Sequence, residues 1–399
     1  MNFDEYVDRH NTESEKWDNF APRFAGMDVD DAVPMWLADM DFKCPPEVVE
    51  AVIERAKSGL YGYTPWQSDR YNAAVIGWMK KRYNWDIEKD WIVFTPGVVP
   101  ALTHAIQALT EPGDGVIIQM PVYYPFRVGI DTNGRVVRNN RLILDEEEYT
   151  YKIDFENLEE LASEERTKMM ILCSPHNPVG RVWTKEELNK ICDICLRNNV
   201  LLVSDEIHAD LLMKDVKFTP TALVDEKYID NLISCYAPSK TFNMAGIQAS
   251  AIIIHNPDIR AKFRQQIVKT RMPAMNIFVG VAVEAAWTYG EPYIKEVMEY
   301  IEANIDHAIG FMAKYTPKIR IMKPEGTYLV WVDLRGLGLG VEEAERFFAE
   351  RAKIAVDFGT WFGPEGTGAG FVRMNFACHR STLDKALEQL RAAYEKEFA

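Results

Sequence analysis

A lysine follows directly after a buried strand-like run in the segment "SCYAPSKTFNMAG", residues 234–246. The apolar run "NLISCYA" stops at Pro238, and Lys240 comes two residues later among small and polar residues. Burial disfavours the charged form of an amine, so a lysine at the mouth of a dry site has a lowered pKa and becomes a nucleophile. Such an amine can bind an aldehyde covalently.

The segment "TPGVVPALTHAIQAL" follows another predicted strand, at 91–94. Gly97 allows a tight turn and Pro100 stands near the first helical position, so the backbone N–H groups of Val98 and Val99 are placed to hold a phosphate. A glycine before a helix is, by itself, more often only a turn.

Two more segments place polar side chains after apolar runs. Asn177 in "CSPHNPVGRVW" stands in a turn between His176 and Pro178, and Asp205 in "LLVSDEIHADL" follows four apolar residues together with Glu206. An Asn-Pro turn alone says little, and a carboxylate at a strand end is more often a helix cap or part of a solvated loop.

The four segments gain meaning together, because ligands of an open α/β sheet bind at the carboxyl ends of its strands. Asn177 precedes Asp205 by 28 residues, and Lys240 follows 35 residues later. An aspartate against a pyridinium nitrogen keeps that ring protonated and makes it an electron sink, while a lysine holds the aldehyde. The combination of phosphate loop, Asn, Asp and Lys predicts a pyridoxal 5'-phosphate site.

The elements that must position these residues form an α/β pattern. From about 91 to 255, short β-branched runs alternate with amphipathic stretches, and several runs are continuously apolar, as strands covered on both faces are. Beyond about 285 the pattern changes to a long helix, "TYLVWVDL", a helix around 341–352, "FVRMNFAC" and a last amphipathic helix. We predict a large α/β domain with a mostly parallel mixed sheet (45–285) and a smaller α+β domain (1–44 with 286–399).

Composition excludes several classes of function. A formal charge of −15 repels the phosphates of nucleic acid and gives no electrostatic attraction to an anionic membrane. The N-terminus is charged from its fourth residue, and no apolar run approaches the roughly 18–20 residues of a spanning helix. We therefore predict a cytoplasmic protein that binds neither nucleic acid nor membrane.

The six cysteines are too scattered for the disulfide framework of a small secreted protein. One pair, "CDIC" at 192–195, has the spacing of a redox or metal motif. Leu188, Ile191, Cys192 and Cys195 nevertheless fall at i, i+3, i+4 and i+7, which predicts one apolar helix face. The segment "TKEE" marks the start of that helix as a capping box of Thr184 and Glu187. We expect no metal site.

The combined motifs resemble those of a known family across nearly the whole chain. "PMWLADMDF" (34–42), "YGYTPW" (61–66), "PVYYPF" (121–126), "HNPVGRVW", "SDEIHADL" and "SKTFNMAG" are similar to motifs of fold-type I pyridoxal-phosphate enzymes of the aminotransferase class I/II group. Within that group they resemble the MalY/PatB-type cystathionine β-lyase branch of carbon–sulfur lyases. The resemblance implies a pyridoxal-phosphate-dependent transferase-like fold.

The resemblance also implies roles for individual residues. Lys240 is expected to bind the cofactor covalently, and Asp205 to face its ring nitrogen. Asn177 and His208 are expected near the phenolic oxygen. Tyr123 takes the place of the aromatic side chain that stacks on the ring.

Two further roles concern the substrate and a second subunit. Tyr63 resembles the tyrosine that reaches the phosphate of the neighbouring subunit's cofactor, and we expect it to contact the substrate as well, which implies a homodimer with shared sites. Arg373 resembles the clamp on the substrate's α-carboxylate, where a guanidinium gives two parallel hydrogen bonds. Without the resemblance, Arg373 would be taken for a surface arginine on a strand.

The sequence departs from the aminotransferase pattern at two phosphate positions. Many aminotransferases have a serine three residues before the lysine and an arginine eight residues after it, where this chain has Ala237 and Gln248. These departures favour the lyase branch. Phosphate binding is then expected of Val98, Val99, Ser239 and the partner's Tyr63.

The implied reaction is α,β-elimination from L-cystathionine or a related cysteine S-conjugate, giving a thiol, pyruvate and ammonia. Lys240 would remove the Cα proton, and either Tyr123 or Lys240 would protonate the leaving sulfur. An aminotransferase shares every step up to the carbanion and is the main alternative. A regulatory protein on the same fold is a weaker alternative.

The glycine-rich segment 359–370 either borders the substrate entrance or forms a surface turn.

Overall fold

A seven-stranded mixed sheet forms the centre of the computed structural model, which describes residues 1–363 and 366–398. Its strands, in chain order, are β1 (Ile92–Thr95), β2 (Gly115–Ile118), β3 (Val136–Asn139), β4 (Thr167–Cys173), β5 (Leu201–Asp205), β6 (Leu232–Tyr236) and β7 (Ser250–Ile253). Their spatial order is β1-β7-β6-β5-β4-β2-β3, and β7 alone of the seven runs antiparallel to both of its neighbours. The predicted α/β fold with a mixed, mostly parallel sheet is confirmed.

Helices connect and cover these strands. The α-helices of the described residues are α1 (Pro46–Lys57), α2 (Asp69–Tyr83), α3 (Val98–Leu109), α4 (Pro125–Thr132), α5 (Phe155–Ser163), α6 (Lys185–Arg197), α7 (Pro238–Thr241), α8 (Pro257–Thr270), α9 (Val279–Tyr289), α10 (Glu291–Tyr315), α11 (Val341–Arg346), α12 (Gly359–Phe362) and α13 (Arg380–Phe398). A π-helical turn, Phe347–Arg351, follows α11.

A second sheet of four antiparallel strands is built by the C-terminal part of the chain. Its strands are β8 (Arg320–Met322), β9 (Leu329–Asp333), β10 (Asp357–Phe358) and β11 (Phe371–Asn375), in the order β8-β9-β11-β10. The N-terminal segment joins this part of the protein, because Val33–Pro34 pairs in parallel with Ile354–Ala355. The domain limits at 45 and 285 stay a prediction.

Apolar side chains cover both faces of the large sheet, as its continuously apolar strands require. On one face, β-strand residues such as Val93 and Ile252 pack with Ala101 and Phe263 of α3 and α8. On the other face a larger core extends from strand residues such as Phe94 into the second sheet, where Trp331 is fully buried. The carboxyl edge of the parallel strands is thereby held between two packed layers.

The two cysteines of the "CDIC" segment are buried residues of helix α6. Thr184 caps the helix and Glu187 bonds back to the cap's backbone, so the predicted capping box is confirmed. Cys192 and Cys195 lie buried on the apolar face with Leu188, as the spacing predicts. Both thiols are free, and no cluster of three or more metal-ligating side chains occurs among the described residues.

No helix in the described ranges is long and apolar enough to cross a membrane.

Candidate active site

A cavity of about 190 Å³ lies at the carboxyl edge of the large sheet. Its wall combines residues from the four segments that the sequence singled out, together with Tyr123. The predicted residues that line it are Val98, Val99, Tyr123, Asn177, Asp205, His208, Ser239 and Lys240. Parallel strands bring their carboxyl ends to one edge, which is why side chains up to 142 positions apart in the sequence meet here.

Lys240 extends into this cavity from the short helix α7, which begins at Pro238 directly after β6. Its Nζ donates a hydrogen bond to the carbonyl oxygen of Ala38 at 2.6 Å. Burial lowers the pKa of Lys240 to about 8, against the opposing charge of Asp39. A substantial fraction of this amine is therefore neutral and nucleophilic near pH 8.

Asp205 is the last residue of β5 and is almost completely buried. Its Oδ1 accepts a hydrogen bond from the backbone N–H of Ile207 at 3.2 Å. Desolvation raises the pKa of Asp205 to about 7. A cationic ring nitrogen in the cavity would stabilise the carboxylate form.

The N-terminus of α3 forms another part of the wall. Val98 and Val99 are its first two residues, and Gly97 at the cap position offers no side-chain hydrogen bond to their N–H groups. Ser239 and Gln248 also line the cavity. The N–H groups of a first helical turn have no intrahelical acceptor, and together with the positive end of the helix dipole they suit an anion here.

His208 and Tyr123 contribute neutral rings. Burial lowers the pKa of His208 to about 3, so its imidazole carries no charge at neutral pH. The Nδ1 atom of His208 is buried, and no hydrogen-bond partner for it exists among residues 1–363 and 366–398. Burial raises the pKa of Tyr123, whose phenol stays protonated.

Arg373, on β11, lies immediately beside the cavity and is buried. Its Nη1 donates to Oδ1 of Asn177 at 3.0 Å, and its Nη2 donates to the carbonyl oxygen of Trp36 at 3.0 Å and to Oδ2 of Asp357. The alternative of a surface arginine does not hold. The guanidinium is joined to the cavity through Asn177, which lines it.

Tyr63 does not reach the cavity of its own chain, because its side chain is fully exposed. One residue of the glycine-rich segment 359–370, Phe362, lies beside Arg373, and a place for this segment at the substrate entrance stays a prediction. Phe362 packs against Arg373, with the guanidinium carbon 4.8 Å from the ring centroid, and its carbonyl accepts from the N–H of Val122. Residues 364 and 365 of this segment lie outside the described residues.

Sequence similarity places the chain among known enzymes. The family of class I and II aminotransferases matches residues 35–390. The chain belongs to this family.

Relatives from within the family cover almost the entire chain. Cystathionine beta-lyase PatB of Bacillus subtilis is 43% identical over 98% of this chain and 100% of its own length, and protein MalY of Escherichia coli is 31% identical over 98% of both. The crystal structure of cystalysin from Treponema denticola, which contains pyridoxal 5'-phosphate, superposes with a TM-score of 0.93 at 39% identity, covering 99% of this chain and 98% of that one.

The cavity of this family member suits an anionic pyridine aldehyde on four independent counts. A neutralisable amine, Lys240, stands beside a carboxyl group, Asp205, whose pKa near 7 would be lowered by a cation. The uncapped N-terminus of α3 offers donors to a phosphate. The unpartnered Nδ1 of His208 offers a hydrogen bond to a polar ring substituent.

Sequence reasoning missed the contribution of the N-terminal segment. The carbonyl oxygens of Trp36 and Ala38 accept from Arg373 and Lys240, and Asp39 acts on the pKa of Lys240. A backbone carbonyl carries no residue-type signal, so no pattern in the sequence could have found the first two. Asp357 was also missed, because a lone acidic residue before "FGTWFG" resembles any loop carboxylate.

Proposed function

We propose that the protein is a pyridoxal-phosphate-dependent carbon–sulfur β-lyase, which cleaves L-cystathionine or a related cysteine S-conjugate to a thiol, pyruvate and ammonia. The observation that carries this proposal is the convergence of Lys240 and Asp205 on one cavity. The similarity to cystathionine beta-lyase PatB along the full chain supports the same activity. Pyridoxal 5'-phosphate, when bound, supplies an electron sink for the carbanion at Cα.

Each residue around the cavity has a distinct task in that reaction. Lys240 would hold the cofactor at its aldehyde, and the free amine of Lys240 would remove the Cα proton of the bound substrate. Asp205 would accept a hydrogen bond from the ring nitrogen and so keep it protonated. Arg373 binds the α-carboxylate, which orients the Cα–H bond towards Lys240.

The leaving sulfur needs a proton before it departs as a thiol. The Lys240 ammonium, formed by removal of the Cα proton, and the neutral phenol of Tyr123 both have one to give. Tyr123, Asn177 and His208 all line the cavity. Tyr123 would stack on the cofactor ring there, with Asn177 and His208 near its phenolic oxygen. The water that completes the reaction hydrolyses the released enamine to pyruvate and ammonia.

Product analysis without an acceptor tests the proposal. The purified protein loaded with pyridoxal 5'-phosphate should release equimolar thiol and pyruvate from L-cystathionine in the absence of any 2-oxo acid. Pyruvate is measured with lactate dehydrogenase and the thiol with a disulfide reagent. Amino transfer that requires a 2-oxo acid, with no thiol released, would refute the lyase and favour an aminotransferase.

We further propose that two copies of the chain share their active sites. Tyr63 lies in an exposed apolar stretch in which the side chains of Leu60 and Tyr61 are also largely exposed. Such a patch is costly for a monomer and typical of an interface. The partner's Tyr63 would then bind the cofactor phosphate, together with Val98, Val99 and Ser239 of the first chain.

The cytoplasmic location stays a prediction.

Subunit mixing tests the shared site. Lys240→Ala and Tyr63→Ala homodimers should each have little activity, and mixing them under subunit exchange should restore part of it, because one site of the hybrid has both residues intact. Sedimentation of the unmixed protein should give the mass of a dimer. A monomer with full activity would contradict the proposal.

A further inference from the structure

A buried carboxylate lies between two arginines beside the active-site cavity. Oδ2 of Asp357 accepts a hydrogen bond from Nη2 of Arg373, and its Oδ1 lies 3.5 Å from Nε of Arg23. The side chains of Asp357 and Arg373 are each 1% exposed, whereas that of Arg23 is 28% exposed. Two guanidinium groups thus share one carboxylate, which leaves one positive charge uncompensated within this arginine–aspartate cluster.

The hydrogen-bond donors of Arg373 are unevenly used. Nη2 has two N–H bonds, and both are engaged, one with the carbonyl of Trp36 and one with Asp357. Nη1 donates to Asn177, and the buried Nε has no partner within the described part of the chain. A carboxylate bound by two parallel hydrogen bonds needs Nη2 together with either Nε or Nη1. A substrate carboxylate can therefore be gripped in this way only if Nη2 releases one acceptor.

Asp357 is the acceptor that can leave. The carbonyl of Trp36 is backbone, fixed next to the strand pairing of Val33–Pro34. Asp357 has an alternative partner close by, because its Oδ1 and Nε of Arg23 are both buried without a hydrogen bond among the described residues. A small displacement of the carboxylate towards Arg23 would close the 3.5 Å separation to hydrogen-bond length.

Arg23 is held in position to receive it. Its guanidinium carbon lies 4.2 Å from the ring centroid of Trp361, 4.9 Å from that of Tyr124 and 5.1 Å from that of Trp36. Three aromatic faces around one cation restrict its movement and compensate part of its lost hydration. The cation is therefore available to Asp357 without rearrangement of the surrounding chain.

We infer that Asp357 occupies the substrate clamp in the free protein and passes to Arg23 when an α-carboxylate binds Arg373. Arg23 is then a positioning residue for amino-acid substrates: it acts by withdrawing Asp357 from Arg373. After the exchange, two guanidinium groups face two carboxylates and the cluster is neutral. The inference rests on the proposed function only in taking Arg373 as the carboxylate clamp.

Two probes that differ by one carboxylate test the exchange in the holoprotein. L-Alanine has no leaving group at Cβ, and ethylamine is the same molecule without its carboxylate, so their binding is measured from the absorbance change of the bound cofactor. In Arg23→Gln, Asp357 has no second cation to pair with and remains hydrogen-bonded to Nη2 of Arg373. The Kd of L-alanine should rise about 10-fold, the loss expected of one charge-assisted hydrogen bond, while that of ethylamine stays unchanged.

The double variant Arg23→Gln/Asp357→Asn separates the exchange from a merely structural role of Arg23. The exchange predicts that the second substitution restores the affinity for L-alanine, whereas a structural role predicts a further loss. Removing the competing carboxylate should return the Kd of L-alanine to within about 3-fold of the wild type, because a neutral amide competes weakly for Nη2. Arg391→Gln is the matched control. Like Arg23, Arg391 lies over an aromatic ring, that of Tyr315, and close to a carboxylate, that of Glu395. Its Nε also has no hydrogen-bond partner among the described residues. Arg391 is on α13 and has no contact with Asp357 or Arg373 in the described part of the chain, so its replacement should leave both affinities unchanged.

Three results would overturn the inference. They are an unchanged affinity for L-alanine in Arg23→Gln, an equal loss of affinity for both probes, and a double variant that binds L-alanine more weakly than the single one. Because Arg23 is partly exposed, Arg23→Gln decides the matter even if Asp357→Asn fails to fold. A wild-type holoprotein that binds neither probe would instead refute the proposed function.

Discussion

Replacing Asp205 by asparagine should affect the stability of the cofactor-free protein in a pH-dependent way. Desolvation raises the pKa of Asp205 from 3.8 to about 7 in the folded protein. The folded state then holds this proton more tightly than the unfolded chain does. The corresponding stability is fully present below pH 3.8 and is lost as the pH rises through about 7.

The size of this loss follows from the two pKa values. The pKa of Asp205 differs by about three between the unfolded and the folded protein, which corresponds to about 4 kcal/mol of unfolding free energy. Asparagine has the same shape and can still accept the hydrogen bond from Ile207, but it does not titrate. Cofactor-free Asp205→Asn should therefore match the wild type near pH 4 and exceed its stability by several kcal/mol at pH 8.

Urea unfolding of the cofactor-free proteins at a series of pH values measures the difference between the two curves. The sign should reverse when pyridoxal 5'-phosphate is added, because the wild-type carboxylate then pairs with a protonated ring nitrogen and the amide cannot. Asp193→Asn, at a half-exposed carboxylate on α6 that pairs with Arg197, is the control and should show neither effect. Parallel curves for wild type and Asp205→Asn from pH 4 to 8 would refute the reasoning.

Three other predictions concern the surroundings of the site. The rate at which the cofactor-free protein takes up pyridoxal 5'-phosphate should increase as the pH rises through about 8, where the Lys240 amine becomes neutral, and the increase in visible absorbance should be lost in Lys240→Ala. Thr241→Val removes the hydrogen bond from Oγ1 to Oδ2 of Asp210 at 3.0 Å, which anchors the short helix that carries Lys240. We therefore expect kcat to fall several-fold and the free energy of unfolding to fall by about 1 kcal/mol. Thr241→Ser should restore both in the same assays. Cys192→Ala with Cys195→Ala should lower the thermal midpoint through lost packing while leaving lyase activity and metal content unchanged; loss of activity with an intact fold would contradict the assignment of these thiols to the core.

The phosphate end of the site shows how far residue types alone could lead. The glycine before α3 and the valines after it indicated a donor-rich turn, and the structure places those valines on the cavity wall. Tyr63 shows the limit. The side chain of Tyr63 is fully exposed, so the predicted role of this tyrosine depends on a second subunit and stays a prediction.

The arginine–aspartate cluster was beyond any sequence pattern. Arg23 comes from a segment without helical or strand periodicity, and Asp357 is separated from it by more than 330 residues. Their meeting depends on the pairing of Val33–Pro34 with Ile354–Ala355, two-residue strands too short to leave a periodic signal. Only folding brings the two charges to one point.

By itself, the sequence determined the order of the strands along the chain, the residue types at their ends and hence the kind of cofactor, because alternation of apolar runs and polar ends is a local property. Tertiary structure alone decided the pKa of Lys240 and Asp205, the hydrogen-bond partners of Arg373 and the backbone carbonyls that accept from Lys240 and Arg373. These properties depend on burial and on distances between remote segments, and neither exists before the layers pack together.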